Sequence, residues 1–351
     1  MGSRPQVFRN PHRGRLPSFA LDDAQEVLEF HRKLPDYAPT PLVKAGDRLW
    51  VKDESHRLGL PAFKMLGASW GTYQALRSRL GDRLRPWRTV DELRAQVAQL
   101  KPLTLATATD GNHGRAVARM GRLLDLPTRV YLPRTAGPVR IQALKDEGAE
   151  VIAVDGIYDE ALARCVDELR PGDVFASDAD HRGEEGFART VLAGYGTLLQ
   201  EVAEQLDDPP EVLMVQMGVG SLASSMIANL ARLGWPTEVI GVEPADADCI
   251  LEALRADHLV FVPGPHLSQM VGLNCAQASD LAWPLLRAGL SAVVAIEDDW
   301  AEAAMAELER LGIESGHSGA AGLAGYRALG DELAGRSVLV INTEGATHLH
   351  P

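Results

Sequence analysis

The sequence predicts an α/β protein built on two open, largely parallel sheets, and three observations lead there. Short apolar runs rich in β-branched residues recur along the chain, longer helical patterns separate them, and glycine-rich or charged loops follow several of the runs. Near-continuous apolar runs are what parallel strands covered on both faces require. Strand–helix–strand repetition then implies right-handed crossovers and an open sheet.

Taken in order, the first forty residues read as irregular apart from a helix around 22–33. Strands are expected at 49–52, 103–107, 130–132, 151–154, 174–176, 212–216, 239–242, 293–296 and 338–341. Helices are expected at 114–124, 139–147, 159–169, 190–205, 222–233 and 301–311. A chain of 351 residues can bury two cores. The strand–helix units between 103 and 176 are enough for a compact inserted unit. The expected division is a smaller domain over 71–184 and a larger one from 1–70 plus 185–351.

Composition excludes several classes. A formal charge of −13 argues against binding a phosphate backbone, so no nucleic-acid partner is expected. The basic start (Arg4, Arg9, Arg13, Arg15) is broken by Pro5, Pro11 and Pro17 and reads as a frayed, solvated arm. No apolar run approaches the ~18 residues of a membrane helix. The N-terminus lacks the apolar core of a secretory signal, and three cysteines make no disulfide framework. A cytoplasmic protein with no membrane partner is the expectation. His348 and His350 in the tail read as exposed, and no metal site is expected.

Ligands of open α/β sheets gather at loops beyond the carboxyl ends of strands, and four such loops are unusual. In Pro61-Ala62-Phe63-Lys64-Met65-Leu66-Gly67-Ala68 a lysine sits among apolar neighbours at a helix start. Desolvation and the helix dipole would both lower its pKa and favour the neutral, nucleophilic amine that a Schiff base needs. Thr107-Ala108-Thr109-Asp110-Gly111-Asn112-His113-Gly114 follows a strand and opens a helix, with polar side chains facing one way. Gly218-Val219-Gly220-Ser221 presents consecutive backbone N–H groups at a helix N-terminus, an anion nest suited to phosphate. It lacks the spacing of a dinucleotide fingerprint and the ending of a P-loop, which disfavours dehydrogenase and NTPase readings. Asn342-Thr343-Glu344-Gly345 places a hydroxyl after the last strand.

In this order, the four loops resemble the fold-type II pyridoxal-phosphate enzymes, of tryptophan synthase β-like architecture. Among these the chain is most similar to the 2,3-diaminopropionate ammonia-lyases. The resemblance runs from about Tyr37 to Thr347. Its most specific stretches are Val51-Lys52-Asp53-Glu54-Ser55, the Lys64 and Asn112 loops, Val242-Glu243-Pro244, Ala247-Asp248-Cys249-Ile250 and Thr343-Glu344-Gly345.

The resemblance implies that Lys64 carries pyridoxal 5′-phosphate as a Schiff base, with Phe63 and Asn112 beside it. Gly218, Val219, Gly220 and Ser221 would hold the phosphate. Thr343 would face the pyridine nitrogen, leaving it largely unprotonated and favouring loss of a β-substituent. Asp110 stands where dehydratases bind a substrate carboxylate through Ser or Thr. With Asp178 it would attract a second ammonium group and act as a base at Cα. The implied reaction is elimination of ammonia from 2,3-diaminopropionate or a related β-substituted amino acid, giving a 2-oxo acid, in a homodimer.

Two departures bear on the substrate. His317, in Ser315-Gly316-His317-Ser318-Gly319-Ala320, replaces an acid of the ammonia-lyase pattern, and His181-Arg182-Gly183-Glu184 replaces an aromatic followed by Glu-Gly-Tyr. His113, His181 and His317 are therefore candidate substrate contacts, since imidazoles can protonate a leaving group or bind an anion. Elimination or β-replacement on another amino acid, and a ligand sensor without turnover, stand as alternatives. Cys249 and Cys275 match cysteines of the pattern at the mouth of the site and read as free thiols.

Overall fold

The computed structural model describes residues 4–109, 111–156, 158–178 and 186–346. The strands are β1 (Gln6–Arg9), β2 (Leu42–Gly46), β3 (Leu49–Asp53), β4 (Leu105–Ala108), β5 (Thr128–Pro133), β6 (Glu150–Val154), β7 (Val174–Phe175), β8 (Val212–Gln216), β9 (Glu238–Pro244), β10 (Leu290–Ile296) and β11 (Val338–Asn342). The helices are α1 (Ala24–Arg32), α2 (Lys64–Leu80), α3 (Val90–Val97), α4 (Asn112–Leu124), α5 (Pro138–Asp146), α6 (Tyr158–Asp167), α7 (Gly186–Gln205), α8 (Ser221–Leu233), α9 (Cys249–Ala256), α10 (Trp283–Gly289), α11 (Asp298–Arg310) and α12 (His317–Leu329).

Among the described residues there are two sheets. The larger has the order β1-β10-β9-β8-β11-β3-β2 and the smaller β6-β5-β4-β7. Strands β10, β9, β8, β11 and β3 run parallel, with β1 and β2 antiparallel at the edges. The smaller sheet is parallel throughout. Every expected strand is present within a few residues.

The two edge strands were not expected, because both are half exposed and neither is an apolar run. The basic start is consequently not a frayed arm. Gln6–Arg9 pairs with β10, Arg9 is ion-paired to Glu332, and Asn10 Nδ2 donates to the carbonyls of Arg287 and Leu290, each at 2.8 Å. No helix among the described residues is long and apolar enough to cross a membrane.

Local chemistry sets several helix starts. Asp23 caps α1 by accepting from the Glu26 N–H at 3.0 Å, Thr89 caps α3 through Glu92, and Pro138 opens α5. The start of α2 has no side-chain cap and is held by packing. α2 lies against both α7 and α4. A Cβ at Gly67 would fall 2.6 Å from the Tyr195 ring, and one at Gly194 would fall 2.4 Å from the Leu66 carbonyl. Only glycine at both positions lets these backbones touch.

Upstream of α2, β3 and its loop are fastened to α7 by charge. Lys52, Glu54, Arg57 and Glu201 have no solvent exposure. Arg57 bonds Glu54 at 2.6 Å and Glu201 at 2.6 Å, Lys52 bonds Glu201 at 2.8 Å, and Thr40 Oγ1 donates to Glu54 at 2.6 Å. Burial alone would raise the Glu201 carboxyl, but the hydrogen bonds and charges of Arg57 and Lys52 outweigh it and hold it at about 2.

Removing Arg57 strands two buried carboxylates, so Arg57→Met is expected to lower the unfolding free energy by about 3–5 kcal/mol in urea titrations. Because the Glu201 pKa is depressed, its contribution is complete above the ordinary carboxylate range and disappears as pH falls towards about 2. Unfolding curves across that acid range should show the loss in the wild type and not in Glu201→Gln.

Candidate active site

The loops after β4 and β7 of the smaller sheet meet those after β3, β8 and β11 of the larger one. Lys64, the first residue of α2, places Nζ 2.7 Å from Asp178 Oδ2, beyond β7. Ser221, the first residue of α8, donates through Oγ to the Asp178 carbonyl at 3.2 Å. Asn112, the first residue of α4, donates through Nδ2 to Glu344 Oε2 at 2.6 Å. Each of these three bonds joins a loop of one sheet to an element of the other.

The Lys64 segment is also stitched to the last loop. Phe63 N donates to the Thr343 carbonyl at 3.2 Å, Gly345 N donates to the Pro61 carbonyl at 2.9 Å, and Ala62 bridges Glu344. The Phe63 ring lies 5.4 Å from Lys64 Nζ and 4.7 Å from the Tyr195 ring. Thr109 Oγ1 accepts from the N–H groups of Gly111 and Gly114, both at 3.0 Å, which shapes the turn that presents Asn112 and His113. His113 donates from Nε2 to the Ala176 carbonyl at 2.8 Å, and its Nδ1 lies 3.7 Å from Asp178 Oδ2.

The electrostatics correct one expectation. Burial does pull the Lys64 pKa down, but the Asp178 carboxylate outweighs it and raises the amine above its ordinary value. Burial would raise Asp178 in turn, and its neighbours His113 and Lys64 bring it below the usual carboxylate range. Lys64 is therefore an ammonium paired with Asp178, and the same carboxylate is placed to receive its proton. Burial raises the Glu344 carboxyl despite its bonds from Asn112 and Ser318.

Of the remaining sequence candidates, Val219 accepts through its carbonyl from Ser279 N at 2.9 Å. Neither Cys249 nor Cys275 is in a disulfide, and both lie against Gly218. Cys249 Sγ lies 3.9 Å from its carbonyl, and a Cβ on Gly218 would meet Cys275 Sγ at 3.0 Å. His317 starts α12 and is half-buried, one residue beyond Gly316, where a Cβ would fall 2.7 Å from Glu344 Oε1. Asp110 and His181 lie outside the described residues, as do the tail histidines.

Three residues of the site carried no assigned role in the sequence. Glu344 anchors Asn112, and Gln216 donates from Nε2 to Thr343 Oγ1 at 2.8 Å. Tyr195 packs its ring against Phe63, and its buried hydroxyl has no hydrogen-bond partner among the described residues. Gln216 had a visible signal, a polar residue ending an apolar strand. Tyr195, inside an apolar helix, had none.

The cofactor that the resemblance implies fits these residues. Gly220 adopts φ +92°, and a Cβ there would fall 2.4 Å from Leu286 Cδ1. The glycine turn thus delivers the free N–H groups of a 13-residue helix to one spot. Two buried polar atoms of the site, His113 Nδ1 and Gln216 Oε1, have no partner among the described residues. Each stands beside a residue expected to serve the cofactor. Gly220→Ala is expected to destabilise the fold by about 1–3 kcal/mol in denaturant unfolding, through backbone strain and the clash with Leu286.

Comparison with known proteins agrees with this geometry. The family model for pyridoxal-phosphate-dependent enzymes matches residues 33–344. The diaminopropionate ammonia-lyase of Escherichia coli strain K12 is 32% identical over 362 aligned residues, covering 94% of this chain and 90% of that protein. The crystal structure of the holo Escherichia coli enzyme superposes with a TM-score of 0.89 at 30% identity, covering 98% of this chain and 94% of the other. The same enzyme in complex with D-serine superposes equally, with a TM-score of 0.89. The chain belongs to the pyridoxal-phosphate-dependent enzyme family, with the fold-type II architecture and pyridoxal 5′-phosphate as its cofactor.

Proposed function

We propose that this chain is an ammonia-lyase that eliminates ammonia from 2,3-diaminopropionate, or a closely related β-substituted amino acid, to give a 2-oxo acid. The observation that carries it is the Lys64–Asp178 contact at 2.7 Å, in a chain that aligns over 94% and 92% of its length with two diaminopropionate ammonia-lyases. Lys64 Nζ would hold the cofactor covalently, and the turn Gly218, Val219, Gly220, Ser221 would hold its phosphate. Phe63 and Asn112 would flank the ring, with Asn112 oriented by Glu344. Because Thr343 Oγ1 already accepts from Gln216, its O–H is free to donate to the ring nitrogen.

When bound, pyridoxal phosphate supplies the electron sink for charge left at Cα. The chain's own part is proton handling. Asp178 and Lys64 would take the Cα proton, with Asp110 as a second carboxylate that attracts the distal ammonium group and serves as the alternative base. The leaving amine needs a proton, which Lys64 can return. His317 and His181 are assigned to the substrate side. We also assign residues 71–184 to an inserted smaller domain and 1–70 plus 185–351 to the larger one. The protein is proposed to act in the cytoplasm as a homodimer on a small amino acid, with neither nucleic acid nor membrane as partner.

A second reading, elimination or replacement on another β-substituted amino acid, is favoured by His317 standing in place of the acid of the ammonia-lyase pattern. One assay separates the two. Release of pyruvate and ammonia from 2,3-diaminopropionate is expected, and no release while serine or cysteine is consumed would establish the second reading. Borohydride reduction followed by peptide mapping should place the cofactor on Lys64. Asp178→Asn is expected to lower kcat by about 10²–10⁴-fold, with the label on Lys64 retained.

A further inference from the structure

His113 is buried, with 4% of its side chain exposed, and its two ring nitrogens have different surroundings. Nε2 lies 2.8 Å from the Ala176 carbonyl. A carbonyl can only accept, so Nε2 carries the hydrogen, and in the neutral ring Nδ1 is left with a lone pair. That lone pair has no donor among the described residues. It faces Asp178 Oδ2 at 3.7 Å, the same oxygen that receives Lys64 Nζ at 2.7 Å. Two acceptors facing each other in a buried site are stable only with a proton between them or a cation beside them. In the ligand-free chain Lys64 is that cation.

A nitrogen that holds the cofactor is no longer free to neutralise Asp178. This step rests on the assignment of Lys64 proposed above. His113 Nδ1 then still faces Asp178 Oδ2, at 3.7 Å. Among the described residues, the charged and titratable groups facing this pair are Lys64 on α2 and Tyr195 on α7. Burial lowers the His113 pKa, Asp178 raises it and Lys64 lowers it, so relieving the ammonium shifts the balance towards protonation.

We propose that His113 is a positioning residue for Asp178, whose fixed Nε2–H tautomer presents Nδ1 as the second acceptor for a proton that Asp178 takes from substrate. In that step the C–H electron pair stays with the substrate and the proton passes to Asp178 Oδ2. From there it moves to His113 Nδ1, leaving a carboxylate beside an imidazolium, with no net change of charge in the pair. His113 thereby gives the proton taken up by Asp178 a second site, without touching substrate itself.

The test uses the full-length holoenzyme labelled with ¹⁵N-histidine. The His113 ring is expected to remain the neutral Nε2–H tautomer in the cofactor-free protein and to protonate about one pH unit or more higher once cofactor is bound. Asp178→Asn should abolish that rise. His113→Gln keeps a donor for the Ala176 carbonyl and removes the titratable nitrogen. It is expected to retain the bound cofactor, to lower kcat about tenfold or more with little change in KM, and to move the acidic limb of the kcat profile down by about one unit.

A His113 titration indifferent to both cofactor and Asp178→Asn overturns the proposal, as does a His113→Gln enzyme with an unaltered pH profile. If His113→Gln does not fold, the ¹⁵N titrations of wild type and Asp178→Asn decide alone. The two readings fail separately. Normal coupling with no turnover of 2,3-diaminopropionate upholds the pair and removes only the substrate assignment. Normal turnover with Lys64 labelled and no coupling removes only the role of His113.

Discussion

The buried charges around Arg57 are the constraint on which the rest of the structure depends. Lys52, Glu54, Arg57 and Glu201 are wholly sequestered, and they balance as two cations against two carboxylates. Desolvating four charges is unfavourable, and only near-complete pairing offsets it. Such a cluster is intolerant of small displacements, so it specifies position as much as stability. It binds the loop after β3 to α7, and the chain reaches Lys64 seven residues after Arg57. The glycine contact between α2 and α7 then sets the helix whose first residue is Lys64. The reactive amine is thus located by an ion cluster on one side and a backbone-to-backbone helix crossing on the other.

The same logic of charge in a confined space governs the site. Lys64, Asp178 and His113 form a chain of proton-bearing atoms in which one oxygen serves two nitrogens. Whichever partner is withdrawn changes the basicity of the others, because the charges lie within a few ångströms of one another in a partly buried site. Loops of both sheets contribute, so the constellation exists only when the sheets are apposed. Asn112 and Glu344 provide a second contact between the sheets, at 2.6 Å. It holds the Asn112 amide on a carboxyl that burial raises above its usual range.

The order of the parallel strands was legible in the sequence because strands covered on both faces must be apolar without interruption. The same criterion missed Gln6–Arg9 and Leu42–Gly46. An edge strand leaves one side to water, and its sequence resembles a loop. The basic start was misread for a related reason. Proline and arginine suggested a solvated arm, whereas pairing with β10 and the buried Asn10 hold it down. The Lys64 pKa was argued from its neighbours in sequence, and the residue that reverses it, Asp178, stands 114 positions away.

By itself the sequence determined the α/β class, the succession of the main strands and the cofactor family. Each of these is written locally, in apolar runs, in glycines at tight turns and in motifs of a few residues. Only the tertiary structure decided which atoms meet. The pairing of Lys64 with Asp178, the tautomer of His113, the anchoring of Asn112 by Glu344 and the free hydroxyl of Thr343 all depend on distances between segments far apart in the chain. Electrostatic and hydrogen-bond energies vary over ångströms, and no local pattern encodes separations of that kind.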